Sequence, residues 1–476
     1  MNLPKIKPSD SKSWSLCHRR VWIDNKTDLR PTEIEDEFQQ LIVNLGLQHE
    51  QAVLDQLSRT YQVHKATSPE DTQRLMSEGA EVIYQAQLID EDENFVGYPD
   101  FLIRHENGSY QPADAKLSLS EEKKDIQVQL GFYRRMLDNG LPAIVYLGDG
   151  SEAVIGDESI DVTNQFVDEM HDILSSDVEP SVRYSHSKCR ACPYYTHCKP
   201  AFEAREELSL LYGVHGRSVQ GLNRAGIDTI TTLANTDPEN IPEIPYLKGF
   251  DKHRRAVLQA DSYLTGAIHQ INDFTLPEGY WVHFDIEDNP LTESGDKHVY
   301  LWGFLIPSYH NDDFEYVWTD TEKDDRDGWI IFLEKIDNYR RNHPDLIIAH
   351  YSSHERTTIK AYAKRYSMEN NEIVLYLLGD DSPLYDMQKP VLNNFVLPLQ
   401  AYGLKDICKH KDLVNFQWED NESGSQWSIV QFHRFLAETD LVTKDGLKSE
   451  ILGYNRDDVI ATRKLEEWLR SFRRSH

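Results

Sequence analysis

Apolar positions follow helical and strand-like spacing in turn along the first part of the chain. Between Thr32 and about Arg59 they recur at helical spacing, and a second helix is predicted from about Glu121 to Leu137. Short apolar runs predict strands at Glu81–Ile89, Phe95–Arg104, Gln111–Leu117 and Ala143–Leu147. Helix, strand meander, helix and strand is an α/β pattern with a mixed sheet.

The rest of the chain has a helical stretch and then a second α/β pattern. Residues 205–268 predict short helices broken by Gly226 and Gly249, and Ile271–Gly279 has the composition of a linker. Strands are predicted at Trp281–Glu287, Tyr300–Ile306 and Leu346–His350, with a helix at Gly328–Arg341 and mainly helices afterwards. The pattern divides the chain into residues 1–203, 204–270 and 271–476.

Composition places the chain among folded, multidomain proteins. Its 476 residues exceed one ordinary core, and 39% of them are hydrophobic. No apolar run approaches the roughly 20 residues that a bilayer-spanning helix needs. The first residues do not resemble a secretory signal. We therefore expect a cytoplasmic protein with no membrane partner.

The formal charge of −30 is unusual for a protein that binds nucleic acid, since a polyanion normally requires a positive surface. Bound metal ions can supply local positive charge. Basic residues cluster in the last predicted helix, where they could form a basic groove for nucleic acid. A solvated amphipathic helix end is an equally good explanation of the cluster. Its members are Arg463, Lys464, Arg470, Arg473 and Arg474.

Four of the five cysteines form a split frame. Cys17 is near the N-terminus, and Cys189, Cys192 and Cys198 follow as a close trio. In a reducing compartment, clustered cysteines more often bind metal than one another. The spacing fits either a zinc ion or an iron–sulfur cluster. Cys408 is expected to be a buried apolar residue.

Carboxylates and a lysine lie inside this frame. Asp100 follows Gly-Tyr-Pro, and Asp114 and Lys116 alternate on one strand, so they share a face of the sheet. Two carboxylates on neighbouring strands can share a divalent cation, and a lysine can orient water or stabilise phosphorane charge. Further candidates on neighbouring helices are His49, Glu50, Gln129 and Tyr133. Taken singly, each of these residues has an ordinary explanation, such as a turn at Asp100.

Within the four-cysteine frame, the chain has in order a helical His, Gly-x-x-Asp, Asp-x-Lys and Gln-x3-Tyr. With these motifs, residues 1–203 resemble the RecB-like branch of the PD-(D/E)xK nucleases, a family that has a restriction-endonuclease-like fold. The iron–sulfur members, which include the CRISPR adaptation nucleases and the AddB nuclease domain, are the most similar. The resemblance implies a [4Fe–4S] cluster on the four-cysteine frame. It also implies catalytic roles for His49, Asp100, Asp114, Lys116, Gln129 and Tyr133, with Asp114 standing where the family usually has Glu.

A second group of acidic residues lies in the C-terminal part. Asp285 and Glu287 alternate on a predicted strand, and like charges there are costly unless a cation lies between them. Tyr454 and Asp458 are one turn apart on a helix predicted to begin at Tyr454. Glu355 follows the buried strand that ends at His350. Asp386 and Asp406 are further acidic candidates, and residues 402–406 are interpreted as structural or substrate-contacting.

Asp-x-Glu, a carboxylate after a central strand and Tyr-x3-Asp resemble the DnaQ-like DEDD exonucleases, which have the ribonuclease H fold. The resemblance implies two Mg²⁺ or Mn²⁺ ions about 4 Å apart, with Tyr454 orienting the attacking water. Glu355 stands where the family commonly has Asp. The metal ligands would be Asp285, Glu287, Glu355 and Asp458.

Gly226-Ile227 and Gly249-Phe250 resemble the turns of helix–hairpin–helix modules, which bind phosphate through backbone amides. A plain helical spacer is an equal alternative.

The whole chain resembles the bacterial family of RecB-like nucleases with a C-terminal ribonuclease-H-like domain. This implies a metal-dependent nuclease acting on single-stranded DNA or DNA ends. Since the sequence has no Gly-x4-Gly-Lys-Ser/Thr motif, any unwinding of a duplex would come from a separate helicase. The alternatives are a nucleic-acid-binding scaffold with inactive sites and an RNA exonuclease.

Overall fold

The computed structural model describes residues 4–29, 31, 37–292, 294–307, 313–419 and 424–472. They form two compact units. The first contains the described part of residues 1–183, 191–196 and 293–295, and the second contains the described part of 184–190, 197–292 and 296–476. The domain boundaries at 203 and 270 stay a prediction, and residues 204–270 lie within the second unit.

The first unit is a mixed sheet flanked by helices. Its helices are α1 Asp10–Leu16, α2 His18–Lys26, α3 Glu37–Ser58, α4 Pro69–Glu78, α5 Lys124–Leu137 and α6 Ile160–Ser175. Its strands are β1 Val63–Lys65, β2 Val82–Tyr84, β3 Leu88–Asp90, β4 Phe95–Gly97, β5 Phe101–Arg104, β6 Tyr110–Ala115, β7 Ala143–Tyr146 and β8 Glu152–Ile155.

The main sheet of this unit has the strand order β1-β2-β5-β6-β7-β8. Strands β2, β5 and β6 form an antiparallel meander, and α5 then carries the chain to β7, which is parallel to β6. Apolar residues of α5 and α6, among them Phe132 and Phe166, are fully buried in the core beside α1. The helix–meander–helix–strand order predicted from the sequence is present.

Two of the predicted strands are each broken into two. Glu81–Ile89 contains β2 and β3, because Gln85 between them has a positive φ of 52°. Phe95–Arg104 contains β4 and β5, and the break places Asp100 beside the end of β6. Strand β1 and helix α4 were not predicted from the sequence. The predicted helix start at Thr32 lies outside the described residues.

The second unit begins with helices and continues into a second sheet. Helices α7 His186–Cys189, α8 Tyr195–Ala204, α9 Arg217–Arg224, α10 Ile230–Ala234 and α11 Phe250–Thr265 come first in the chain, and the first two residues of α8 belong to the first unit. The strands are β9 His269–Gln270, β10 Tyr280–Asn289, β11 His298–Ile306, β12 Asp313–Trp318, β13 Leu346–His350, β14 Leu384–Asp386 and β15 Phe395–Val396. The later helices are α12 Asp325–Asn342, α13 His354–Arg365, α14 Glu372–Leu378, α15 Gln388–Asn394, α16 Leu404–Cys408, α17 Ser425–Ala437 and α18 Leu441–Ser471.

The main sheet of the second unit has the order β12-β11-β10-β13-β14. The central strand β10 is antiparallel to β11 and parallel to β13. Its even-numbered residues Phe284 and Ile286 pack in a core with Trp329 of α12. Its odd-numbered residues point to the opposite face, where Asp285 meets Asn455 of α18. One face of β10 is therefore apolar core, and the other carries polar groups.

Two sequence expectations are corrected in this unit. Helix α18 begins at Leu441, capped by Asp440, whose carboxylate accepts from Thr443 N–H, so Tyr454 lies inside the helix rather than at its start. The segment Ile271–Gly279 is not a free linker. Ile271 N–H donates to Asn394 O at 2.8 Å, and Leu276 is buried in a core.

The short helices expected around residues 205–268 are present as α9, α10 and α11. Gly226 and Gly249 have positive φ angles of 79° and 86°, which suit glycine at a tight turn. In the described part of the chain, no helix combines the length and apolar character needed to cross a membrane.

Candidate active sites

Three carboxylates converge in the second unit. Asp285 and Glu287 project from the same face of β10, and Asp458 projects from α18. One ligand oxygen from each side chain lies within 4.8 Å of the other two. Among the described residues, these three side chains form a group that could hold a metal ion. Carboxylate oxygens are the donors that Mg²⁺ and Mn²⁺ prefer, so the donor set fits these ions.

The carboxylates strongly disfavour one another's ionised form. Burial, followed by the charge of Asp458, raises the pKa of Glu287 to about 8. Burial also raises the pKa of Asp458 to about 6, against the opposing effect of Lys405. The pKa of Asp285 lies well above its ordinary value because of burial and the charges of Asp458 and Glu287. A divalent cation between them would remove this cost.

Neutral side chains hold the three carboxylates in place. Asn455 Nδ2 donates to Asp285 Oδ2 at 2.7 Å and lies 3.4 Å from Glu287 Oε1. Ser428 Oγ donates to Glu287 Oε2 at 2.7 Å, and Trp418 Nε1 donates to Asp458 Oδ1 at 2.8 Å. The roles of Asn455, Ser428 and Trp418 in positioning the carboxylates were not predicted from the sequence. Only Asn455, inside the Tyr-x3-Asp motif, gave a signal that could have been used.

Gly303 makes room for this arrangement. It pairs with Asp285 across β10 and β11, and a Cβ atom at this position would lie 1.7 Å from Asn455 Oδ1. Asn455 is fully buried in α18, so the amide has little space in which to move. A side chain at 303 would therefore displace the amide that bridges Asp285 and Glu287.

Gly303→Ala is expected to weaken Mn²⁺ binding by about 10–100-fold, as loss of a residue supporting metal ligands typically does. Overpacking should also lower the free energy of unfolding by about 1–3 kcal/mol. Isothermal titration with Mn²⁺ and denaturant unfolding measure the two effects. The control is Gly446→Ala on α18, where no atom lies within 4 Å of the new Cβ. Equal Mn²⁺ affinity in both variants would refute this role for Gly303.

Tyr454 and Lys405 lie beside the carboxylates. Tyr454 is hydrogen-bonded to Asp458, one turn along α18, and its pKa is raised by burial and by the charge of Asp458. Lys405 Nζ donates to Tyr454 OH at 3.3 Å and lies 5.4 Å from the centre of the Trp418 ring. Burial lowers the pKa of Lys405, and the charge of Asp458 opposes this. A hydroxyl and an ammonium group thus adjoin the candidate metal position.

Glu355 is close to this group without being one of its three converging members. It lies in the first turn of α13, and its Oε2 is 3.1 Å from His350 Nδ1, with both side chains buried. Its charge nevertheless contributes to the raised pKa of Asp285. The remaining acidic candidates have other partners. Asp386 Oδ1 accepts from Ser352 N–H, and Asp406 pairs with Arg190 at 2.9 Å.

The first unit brings Asp100, Asp114 and Lys116 together. Asp100 N–H donates to Asp114 Oδ1 at 2.9 Å, and Ala115 N–H donates to Asp100 Oδ2 at 2.8 Å. Lys116 Nζ lies 2.9 Å from Asp114 Oδ2. Burial and the charge of Asp114 raise the pKa of Asp100 well above its ordinary value. Burial would lower the pKa of Lys116, but Asp114 and Asp100 outweigh it and the pKa is raised.

The other candidates of the first unit surround this group unequally. Glu50 accepts from Tyr84 OH at 2.8 Å, and its charge contributes to the raised pKa of Asp100. His49 Nε2 donates to Tyr146 O at 3.0 Å. In the described part of this unit, no three metal-ligand side chains converge as closely as they do in the second. One ring nitrogen of His49 is therefore hydrogen-bonded to the backbone carbonyl of Tyr146. Glu50 lies close enough to Asp100 for its charge to affect the pKa of that carboxyl.

Gln129 and Tyr133 lie on one face of α5, as their spacing predicts. Gln129 Nε2 donates to Tyr133 OH at 3.2 Å, and Tyr133 OH donates to Tyr98 O at 3.0 Å. Burial and the charge of Asp114 raise the pKa of Tyr133 well above its ordinary value. Tyr133 is therefore a buried link between α5 and the turn before Asp100.

The cysteines of the split frame divide between the units. Cys17 and Cys192 belong to the first, and Cys189 and Cys198 to the second. Within the first unit, burial raises the pKa of Cys192, and the charge of Cys17 contributes. The cysteine frame stays a prediction. Cys408 is fully buried, as expected.

The basic cluster of the last helix is largely neutralised by neighbouring acids. Arg463 and Lys464 both pair with Glu467, at 3.2 and 2.9 Å, and Arg470 pairs with Glu466 at 2.6 Å. Arg473 and Arg474 lie outside the described residues. The described part of the cluster is therefore a solvated, ion-paired helix face.

A comparison with protein families agrees with the fold of the second unit. A family model described as RNase_H superfamily matches residues 282–470, the part of the chain that contains β10, the three converging carboxylates and most of α18. No curated protein matches the chain. The C-terminal part is thus an RNase H-like domain, a class that generally hydrolyses phosphodiester bonds with divalent metal ions. The chain is a mixed α/β multidomain protein that contains this domain.

Proposed function

We propose that the protein is a metal-dependent nuclease whose RNase H-like domain carries an active site at Asp285, Glu287 and Asp458. The convergence of these three carboxylates within 4.8 Å, with Glu287 and Asp458 buried and Asp285 partly buried, carries the proposal. Three like charges this close together, two of them buried, are expensive for a fold to maintain without a counter-ion. The free-energy cost of keeping these carboxylates together is therefore best explained by a function in metal binding.

The residues of this site have separable roles. Asp285, Glu287 and Asp458 would hold Mg²⁺ or Mn²⁺, with Glu355 as a further ligand for a second ion. When bound, the ions supply charge that activates water and stabilises the phosphate oxygens. Tyr454 would orient the attacking water through its hydroxyl, to which Lys405 Nζ donates at 3.3 Å. Asn455 and Ser428 fix the carboxylates so that little reorganisation is needed during the reaction.

The first unit is proposed to carry a second nuclease site of the PD-(D/E)xK type. The proximity of Asp100, Asp114 and Lys116 supports it, together with the antiparallel meander on which they lie. Asp100 and Asp114 would hold a divalent ion, with His49 or Glu50 adding a ligand, and Lys116 would stabilise charge on the phosphate. Gln129 and Tyr133 would support the turn before Asp100.

The proposed substrate is single-stranded DNA or duplex ends opened by a separate helicase, degraded in the 3′ to 5′ direction by the RNase H-like domain. An RNA exonuclease is the alternative within the same chemistry. The other alternative is a nucleic-acid-binding scaffold with one or both sites inactive. It is disfavoured because both groups of carboxylates are intact.

Cys17, Cys189, Cys192 and Cys198 are proposed to bind a [4Fe–4S] cluster, with zinc as the alternative. The proposal rests on their spacing and on the resemblance to iron–sulfur nucleases. Iron, sulfide and zinc analysis of anaerobically purified protein distinguishes the two, and a cluster would absorb near roughly 400 nm.

The function is tested with end-labelled single-stranded DNA and RNA in Mn²⁺ or Mg²⁺. Wild type, Asp114→Asn, Asp285→Asn and the double variant are compared. We expect Asp285→Asn to abolish stepwise release of nucleotides from the 3′ end and Asp114→Asn to affect a separate cleavage activity. Equal degradation by wild type and the double variant would show that a contaminant is responsible, and inert wild type would favour the scaffold.

A further inference from the structure

A cavity of about 290 Å³ opens beside the first turns of α11 in the second unit. Its walls combine three cationic side chains with polar groups from the segment after β9 and from α15. The lining residues are Asp251, Lys252, Arg254, Arg255, Leu258, Ile271, Asn272 and Asn393. The lining carries three positive charges and one negative charge in a chain whose formal net charge is −30.

The positive charges of this cavity are not neutralised by acids. Among the described residues, no carboxylate oxygen lies within ion-pair distance of Lys252, Arg254 or Arg255. Elsewhere in the same unit, exposed cations commonly have such partners, for example Lys297 with Asp288 at 3.2 Å. Arg255 is fixed by a hydrogen bond to Phe395 O at 2.8 Å, whereas Lys252 and Arg254 are exposed. The cavity is therefore a local site of positive potential suited to an anion.

The position of the cavity relates it to the proposed active site within the same unit. Phe395, whose carbonyl binds Arg255, packs against Trp468 with ring centres 5.3 Å apart. Trp468 is ten residues beyond Asp458 on α18, a rise of roughly 15 Å. A nucleic acid strand advances roughly 3.4 Å per nucleotide in a duplex and more when extended. The rise along α18 alone therefore corresponds to roughly four nucleotides of a strand at duplex spacing.

We propose that this cavity binds backbone phosphate of the nucleic acid substrate, at a distance from the proposed catalytic carboxylates. The identity of the ligand rests on the proposed nuclease function. The geometry differs from the phosphate binding expected of a helix–hairpin–helix turn, since Gly249 N–H already donates to Glu243 Oε1 at 3.1 Å. Side chains of α11, rather than hairpin amides, supply the contacts. They bind charge without reading base sequence.

The test measures binding of a fluorescently labelled single strand of about 20 nucleotides to the full-length protein in EDTA, by anisotropy over a range of salt concentrations. Without metal no cleavage occurs, so the result does not depend on whether the catalytic proposal is right. Lys252→Gln/Arg254→Gln is compared with Lys360→Gln/Lys364→Gln, a pair of exposed cations on α13 with the same charge change. Circular dichroism and thermal unfolding check that each variant is folded.

We expect the Lys252/Arg254 variant to bind the strand at least about tenfold more weakly. The slope of log K against log salt should fall by about 1.4, which corresponds to two lost phosphate contacts on a single strand. The control pair should change affinity less than about twofold. Equal effects of the two variants, or no effect of either, would overturn the proposal. Inorganic phosphate alone is titrated in the same way, and loss of phosphate binding in the Lys252/Arg254 variant with unchanged affinity for the strand would overturn it in favour of a small-anion site.

Discussion

Asp285→Asn is expected to lower Mn²⁺-dependent release of nucleotides by at least about a thousandfold, or about 4 kcal/mol of transition-state stabilisation. Asp285 accepts a hydrogen bond from Asn455 and is one of the three converging ligands, so its replacement removes a donor to the metal. The amide retains the size of the side chain but loses its charge. Single-turnover kinetics on an end-labelled strand, at saturating enzyme, measure the chemical step directly.

The matched control for this variant is Asp288→Asn, further along the same strand. Asp288 pairs with Lys297 at 3.2 Å and with His354 at 2.9 Å and is not one of the three converging ligands, although its charge acts on Glu287. Such ion pairs contribute about 1 kcal/mol or less, so we expect a change within about fivefold. Similar losses in both variants would indicate damage to β10 rather than removal of a metal ligand.

The second large effect is on stability, and it depends on pH. Glu287 and Asp458 have pKa values raised in the folded protein to about 8 and about 6, and Asp285 is raised as well. Between the ordinary pKa values near 4 and these raised values, the folded state binds more protons than the unfolded state. Metal-free protein should therefore lose stability as pH rises from about 5 to about 8. We expect a loss of about 2–4 kcal/mol, seen as a lower Tm in EDTA.

Mn²⁺ is expected to reverse this loss, because it binds the ionised carboxylates. At about 100 times its Kd it adds about 2.7 kcal/mol of stability, and the gain should be larger at pH 8 than at pH 6. Asp285→Asn removes one repelling charge and serves as the control. Its Tm in EDTA should fall less between pH 6 and pH 8 than that of wild type. Parallel curves for the two proteins would contradict the electrostatic account of the site.

Much of the candidate site follows from local spacing in the sequence. Asp285 and Glu287 share a face because strand residues alternate, and Tyr454 and Asp458 share a face because they are one helical turn apart. The structure has both relations. The alternation of Asp114 and Lys116 likewise places their charged groups 2.9 Å apart. In these cases, the period of the element alone determines which side chains meet.

The parts that could not be predicted depend on contacts between distant segments. Ser428 and Trp418 reach the carboxylates from other elements, and nothing in their local sequence marks them. Gly303 is required only because α18 crosses β11 at that point. Gly446 and Gly453 lie inside α18, although glycine in a helix interior costs about 1 kcal/mol relative to alanine. Tertiary packing of a long helix outweighed that local preference.

The most direct test of the central claim is a crystal structure of the protein grown or soaked with Mn²⁺, with data collected near the manganese absorption edge. We expect an anomalous peak within coordinating distance of Asp285, Glu287 and Asp458, which Asp285→Asn should remove or strongly reduce. No peak there, at a Mn²⁺ concentration that supports cleavage, would contradict the assignment of this carboxylate group as the metal centre of a nuclease.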